Sequence, residues 1–111
     1  MPKHLVIVLS EPVGGREAEF EDWYENTHIR EVLETTGWNS GQRFVLSAEK
    51  GRKCPLQRLA CYEAEAETGA EVIARLDATR SAREQSDSFN RKTAGLWVFS
   101  ETGQKHHRGG N

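Results

Sequence analysis

One short stretch of the sequence concentrates side chains that can take part in chemistry. The segment FEDWYENTH, residues 20–28, contains three bulky aromatic residues and a histidine. On a helix, Phe20, Tyr24 and His28 follow one another at a spacing of four and share a face. Trp23 lies beside that face. The pattern fits an ordinary buried helix surface, and it equally fits a pocket wall with a proton-transfer group set into it.

Charges around His28 bear on the state of its ring. Residues 16–34 carry seven acidic side chains against two arginines. Nearby carboxylates raise the pKa of an imidazole, whereas burial lowers it. Because the two effects oppose each other, we predict that His28 titrates near neutrality, which is the useful range for a general acid or base. The alternative is an imidazole bonded to a backbone carbonyl with no chemical role.

Two further residues are candidates for polar roles in such a pocket. His4 is either an exposed residue at the end of a strand or, if it faces the helices, a proton-transfer partner of His28. Arg43 is exposed by default, but an inward guanidinium would pair a carboxylate or enolate oxygen, since its planar fork suits such groups. Position in the sequence does not decide between these alternatives.

The remaining candidates are aromatic. Tyr62 is a possible acid or hydrogen-bond donor, and buried Tyr and Trp side chains need a partner for their polar atoms. We predict that the other aromatic residues shape the cavity, although some are expected to be plain core residues. The predicted substrate-binding residues are Phe20, Trp23, Trp38, Arg43, Tyr62 and Trp97, and the predicted catalytic residues are His28, His4 and Tyr24.

Common cofactor and metal motifs are not found in the sequence. His106 and His107 are adjacent in a Gly-rich tail and have no Cys or carboxylate at ligand spacing, so no metal site is predicted. The G-x-S, P-loop and G-x-G-x-x-G patterns are absent. Cys54 and Cys61 are too few for a disulfide framework. We expect free thiols, a cytoplasmic location and no cofactor.

Bulk composition limits the possible partners. The chain has 111 residues, 36% hydrophobic residues and a net charge of −2, with a mean hydropathy of −0.72. Nucleic-acid binding would need a basic face, and a membrane span would need roughly 18 consecutive apolar residues. Neither is present, so we expect no nucleic-acid or membrane partner. A core this lean is often completed by a second subunit, and we expect a homo-oligomer.

Hydrophobic periodicity predicts a β-α-β-β-α-β order. Four strands with a helix after the first and third form the split βαβ layout, which places both helices on one face of an antiparallel sheet. The predicted fold class is α+β, ferredoxin-like. The predicted elements are strand 4–10, helix 16–35, alternating strands 38–48 and 56–66, helix 68–82, a loop or frayed helix over 81–95 and strand 96–101, in a domain 1–102 followed by a flexible polar tail 103–111.

The first half of the chain resembles a known family. EFEDWYENTHIREVLETTGWNSGQRF is similar to the signature of dimeric α/β-barrel proteins of the EthD-like branch, with Trp23-Tyr24, His28, Gly37-Trp38 and Arg43 at the matching places. Relatives often have Pro two residues after the His, and this chain has Arg30. The opening KHLVIVL also resembles the first strand of olivetolic acid cyclase-type polyketide cyclases, in which a strand histidine, here His4, lies in the pocket. The resemblance covers about residues 4–46.

The predicted sheet implies an assembly, and the resemblance implies a function. The apolar sheet face left bare by the helices must meet a partner, and we expect a homodimer through it. The resemblance implies a pocket between sheet and helices that holds a small, hydrophobic, oxygenated substrate, aromatic or polyketide-like. It also implies cofactor-independent acid–base chemistry of the cyclase, isomerase, dehydratase or lyase type. His28 would move the proton, and Tyr24, His4 or Arg43 would hold an enolate oxygen. A non-catalytic small-molecule-binding accessory protein and a cofactor-free oxygenase are the alternatives.

Overall fold

A four-stranded antiparallel sheet organises the chain in the computed structural model, which describes residues 1–109. The sheet order is β2-β3-β1-β4, and three helices pack on one face of it, so the predicted α+β, ferredoxin-like class is confirmed. The strands are β1 (Lys3–Ser10), β2 (Ser40–Val45), β3 (Arg58–Glu65) and β4 (Gly95–Ser100), and the helices are α1 (Glu17–Trp23), α2 (Ile29–Thr36) and α3 (Gly69–Ala78).

The first helical segment is continuous from α1 to α2, as the absence of internal Pro and Gly predicts. Its middle turn, Tyr24–His28, is a π-helix, and the N–H of Ile29 bonds to the carbonyl of Tyr24. Gly37 ends α2 with a positive φ of 79°, and its N–H bonds to Leu33 O at 2.9 Å. A π turn inserts an extra residue into the helical ladder and often lies at a functional site.

Alternation along β1 separates the two faces of the sheet. Val6 lies opposite Tyr62 on β3 and Val98 on β4, and this inner face packs against the helices. Leu5 and the other residues in phase with it face away from the helices and form the open face. The prediction that Trp38 follows the alternation of the strand after it is wrong. Because β2 begins only at Ser40, Trp38 instead turns inward, where its ring centroid lies 5.5 Å from that of Tyr62.

The second half of the chain adds α3 and an ordered connection. Thr68 caps α3 by accepting a hydrogen bond from Glu71 N at 3.2 Å, as predicted. The helix ends earlier than expected, at Ala78, and a short 3₁₀ turn follows at Arg80–Ala82. The connection to β4, residues 83–94, is held against the start of the domain because Val13 N donates to Ser88 O at 2.7 Å.

A close backbone approach positions Tyr62. A Cβ atom at Gly41 would lie only 2.7 Å from Tyr62 Cδ2. The Tyr62 ring therefore occupies the space that the side chain of any other residue type at position 41 would need. Glycine at this position therefore lets the phenol lie flat against the edge strand.

The chain beyond β4 is polar. Residues 101–109 are all exposed, and the last two residues of the predicted tail, 110–111, lie outside the described residues. Within residues 1–109, no helix is both long enough and apolar enough to cross a membrane.

Candidate functional site

A cavity of about 310 Å³ lies between the inner sheet face, the first helical segment and the connection that leads to β4. Five of the predicted site residues line it: Trp23, Tyr24, His28, Trp38 and Tyr62. Ligand pockets start at about this size, and an engineered cavity of roughly 150 Å³ already holds benzene. The space therefore suits a molecule of one or two rings.

His28 is held in this wall by two aromatic side chains. Its ring stacks on Trp23 with a centroid distance of 4.3 Å and an interplanar angle of 24°. Tyr24 meets the imidazole edge-on at 5.0 Å and 89°. Both contacts lie within or beside the π turn, so the extra residue of that turn sets the direction of the imidazole. Within residues 1–109, the buried His28 Nδ1 has no hydrogen-bond partner.

Burial keeps the imidazole neutral. Loss of solvent is the largest effect on His28 and the positive charge of Arg83 the second, and together they lower its pKa from 6.5 to about 4. The predicted titration near neutrality is therefore wrong. The acidic residues that were expected to raise the pKa lie mainly on the exposed side of the helix. At physiological pH the neutral ring carries one N–H and can accept a proton at its other nitrogen, so it acts as a base and not as an acid.

Two tyrosines of the cavity wall differ from His28 in that burial keeps them protonated. Burial raises the pKa of Tyr24 to about 12, and it also raises the pKa of Tyr62 strongly. A hydrogen-bonding interaction between the two phenols perturbs the pKa of each, but the Tyr62 hydroxyl has no partner of good hydrogen-bond geometry among residues 1–109. Both side chains remain protonated at physiological pH and act as hydrogen-bond donors.

Arg83 completes the polar part of the wall, although no pattern in the sequence predicted it. The side chain is only 7% exposed and lines the cavity. Its Nη1 donates to Thr35 Oγ1 at 2.9 Å and to Thr79 Oγ1 at 2.7 Å, and its Nη2 donates to Leu76 O at 2.9 Å. Burial lowers its pKa. In the part of the chain that is described, no carboxylate forms a salt bridge with it.

Three wall residues thus share an unusual property. His28 Nδ1, the Tyr62 hydroxyl and Arg83 Nε are buried side-chain atoms without a hydrogen-bond partner among residues 1–109, and all three residues line the same cavity. A buried polar atom left unpaired costs about 1–3 kcal/mol, more when it is charged. A ligand that reached these atoms through a small movement of the wall would recover that free energy, so the arrangement favours an oxygenated ligand in an aromatic setting.

The structure does not bring His4 into the cavity. His4 is buried, so its interpretation as an exposed strand-end residue is wrong. Its Nδ1 lies 2.8 Å from Ser100 Oγ and its Nε2 lies 2.9 Å from Ala66 O. Since both ring nitrogens are engaged, His4 ties β1 to the strand ends beside it. It does not form a pair with His28.

Arg43 faces the helices but has protein partners. It forms ion pairs with Glu21 and Glu25, and Glu21 also binds Arg58 at 2.6 Å. The guanidinium carbon lies 5.2 Å from the centroid of the Tyr24 ring. Hydrogen bonds and charge from Glu21 and Glu25 raise the pKa of Arg43 against the opposing effect of burial. Arg43 therefore braces Tyr24 from outside the cavity.

Two predicted aromatic residues also lie away from the cavity surface. Phe20 is fully buried and packs behind the wall, 5.4 Å from Tyr24 between ring centroids. Trp97 lies on the open face and is 46% exposed, because within β4 the neighbours Leu96 and Val98 point inward. The prediction that Trp97 shapes this cavity is therefore wrong.

The connection that closes the cavity belongs to the segment predicted as a loop or frayed helix, and its wall residues were not predicted. Phe89 stacks on Phe20 at 6.2 Å and meets Trp23 at 5.9 Å. Trp23 Nε1 donates to Glu84 O at 3.2 Å, which fastens the segment to the first helix. The lone aromatic in a polar stretch was the only sequence signal for Phe89, and Arg83 had none.

Comparisons with known proteins add no identification. The chain has no significant match among protein-family models, curated proteins or solved structures. In residues 1–109, no group of three or more His, Cys, Asp or Glu side chains is arranged to hold a metal ion.

The protonation of His28 gives a direct test of this geometry. Titration followed by NMR of the ring carbon-bound protons, assigned with His28→Gln, should give a midpoint of about 4. Unfolded His titrates near 6.5, so as pH falls from 6.5 towards 4 the unfolded state binds a proton that the folded state does not. The stability of the native protein should fall over this window by up to about 3 kcal/mol more than that of His28→Gln. A midpoint at 6.5 would contradict the buried placement.

Proposed function

We propose that this protein is an enzyme that works without a cofactor and catalyses proton transfer on a small, largely apolar, oxygenated molecule. The observation that carries the proposal is the coincidence of three unpaired buried polar groups, on His28, Tyr62 and Arg83, in one aromatic-lined cavity. Cyclisation, isomerisation, dehydration and related lyase steps all begin with such a proton transfer.

The protonation states of His28 and Tyr62 suggest a role for each residue in the reaction. Neutral His28 removes a proton from the carbon next to a carbonyl group of the substrate. The electron pair left behind moves onto the carbonyl oxygen, which accepts a hydrogen bond from the Tyr62 hydroxyl. The imidazolium then returns the proton to another atom of the substrate or to its leaving group. Donors fixed in advance in the wall stabilise the developing oxyanion more than water does, because they need no reorganisation during the reaction.

A non-catalytic ligand-binding protein is the second candidate. The observation in its favour is the pKa of about 4 at His28, because a general base works best when its pKa lies near the working pH. In such a protein His28 and Tyr62 would only pair polar atoms of the ligand.

Hydrogen–deuterium exchange separates the two candidates. In D₂O, a panel of small C–H acids, such as cyclic 1,3-diketones and resorcinols, should lose its acidic C–H signals in ¹H NMR faster with the protein than without it. His28→Gln should abolish the acceleration, and Tyr62→Phe should reduce it by about 10²–10³-fold, as expected for a lost oxyanion donor.

His107→Gln is the matched control, since it removes a histidine from the exposed tail. Its exchange rate should equal that of the native protein. If panel members bind but exchange no faster than in buffer, the protein is a binder and the catalytic proposal fails.

We further propose that two copies associate through the open sheet face, as the EthD-like resemblance implies. Four apolar side chains on that face are exposed: Leu5 (39%), Phe44 (50%), Trp97 (46%) and Phe99 (61%). A monomer rarely leaves so many large apolar side chains together in water, and an isologous contact would bury the same patch on both copies. The unpaired Cys54 and Cys61 support a cytoplasmic location.

Sedimentation velocity across a concentration series tests the association. The native protein should sediment as a dimer and Phe99→Glu as a monomer, because the glutamate would bury a charge at the contact. Val45→Glu is the matched control, since Val45 is 69% exposed on a strand but points to the other face. A native monomer at all concentrations, or dissociation by Val45→Glu alone, would refute this interface.

A further inference from the structure

Arg83 carries more hydrogen-bonding capacity than the protein uses. A guanidinium has five N–H donors, and three of them bond to Thr35, Thr79 and Leu76. One N–H on Nε and one on Nη2 remain, and Nε has no partner among residues 1–109. Covalent geometry places Nη2 on the same side of the guanidinium as the Nε–H, so Nε and Nη2 lie along one edge, whose buried Nε would meet a ligand after a small movement of the wall. That edge is the one that binds both oxygens of a carboxylate side by side.

The charge of Arg83 is also left without a close counter-ion. Its three partners are two hydroxyls and a backbone carbonyl, all of them neutral. Glu31 and Asp77 favour its charged form from a distance, whereas Arg80 opposes it. Removing a cation from water costs several kcal/mol unless an anion or a set of strong hydrogen bonds replaces the solvent. An anion beside Nε would supply the missing charge.

The cavity around Arg83 is basic overall. Arg80 and Arg91 also line it, and Asp77 is the one acidic side chain among its lining residues. Burial keeps His28 and both tyrosines uncharged at physiological pH. The ionic groups of the wall therefore favour a ligand of negative charge, while the aromatic groups favour a ring.

We propose that the ligand of this cavity is an aromatic or similarly flat carboxylate, and that Arg83 is the residue that selects it through a two-bond contact with the carboxylate. This inference rests on the proposed function, since it concerns the same cavity, and it adds the substrate class. It also transfers to Arg83 the anion-pairing role first expected of Arg43, whose guanidinium is already paired with Glu21 and Glu25.

Matched acids and amides test the selection in the native protein. Benzoate and 2-naphthoate, each compared with its carboxamide, should be measured by isothermal titration calorimetry at constant pH and ionic strength. A charge-assisted hydrogen bond contributes more than a neutral one, so each acid should bind about tenfold to a hundredfold more tightly than its amide. The titration midpoint of His28 should also rise when the acid binds, because the carboxylate offsets the charge of Arg83, and it should not rise with the amide.

Variants locate the selection at one residue. Arg83→Met should abolish the preference of acid over amide, and Arg83→Lys should retain the charge and part of the preference. Arg80→Met removes an exposed cation of the cavity. This variant should retain at least the larger part of the preference of acid over amide. If Arg83→Met does not fold, Arg83→Lys still decides, because its ammonium retains the charge but not the two-bond edge. A preference for the acid that is unchanged in Arg83→Lys would overturn the two-bond contact.

The outcomes separate this inference from the function on which it rests. Acids and amides that bind equally well would overturn the role of Arg83 but leave a ligand-binding cavity. Failure of every acid and every amide to bind would overturn both. A preference for acids that survives Arg83→Met and disappears in Arg80→Met would assign the selection to the exposed Arg80. That result would overturn the assignment to Arg83.

Discussion

Desolvation of a few polar groups is the constraint on which this molecule depends. The cavity wall combines aromatic and aliphatic side chains, and water is excluded from His28 Nδ1, the Tyr62 hydroxyl and Arg83 Nε. Burial moves each group towards its neutral form or deprives its charge of solvent, which is why the imidazole is neutral and the phenols are protonated. The same burial that makes these groups costly to fold makes them strong partners for a ligand, because they compete with no water.

Separate elements of the fold position the residues of the cavity wall. Alternation in β1 and β3 places Val6 and Tyr62 on the helix-covered face, and the absence of a side chain at Gly41 gives the phenol its room. The π turn between α1 and α2 directs His28 onto Trp23. Connection residues after α3 close the space, with Phe89 stacked on the helix aromatics and Arg83 anchored at the helix ends. Each wall residue is thus positioned by a different element.

Short-range sequence patterns predicted the secondary-structure order, the sheet class and part of the candidate site. Strand periodicity and the Thr68 cap act over a few residues, so the element order, the sheet class and the burial of Phe20 and Tyr24 followed from the sequence. His28 was found because it shares a helix face with them.

Long-range packing decided the rest of the site. The pKa of His28 depends on how deeply the ring is buried and on Arg83, which is 55 positions away in the chain. His4 has a hydrogen-bond partner at Ser100 and Arg43 one at Glu21, and neither pairing has a sequence signature. A π turn likewise leaves no mark in the hydrophobic pattern, and a polar connection gave no hint that it forms a wall.

The central claim is that the space beside His28 is a ligand site whose unpaired polar atoms a bound molecule satisfies. A crystal structure of the protein soaked with a mixed set of small phenols and aromatic carboxylates tests it most directly. We predict electron density for a ring in the cavity, with its oxygen atoms within hydrogen-bonding distance of at least two of the three residues His28, Tyr62 and Arg83. A cavity filled by protein side chains, with all three groups hydrogen-bonded to the protein itself, would contradict the account.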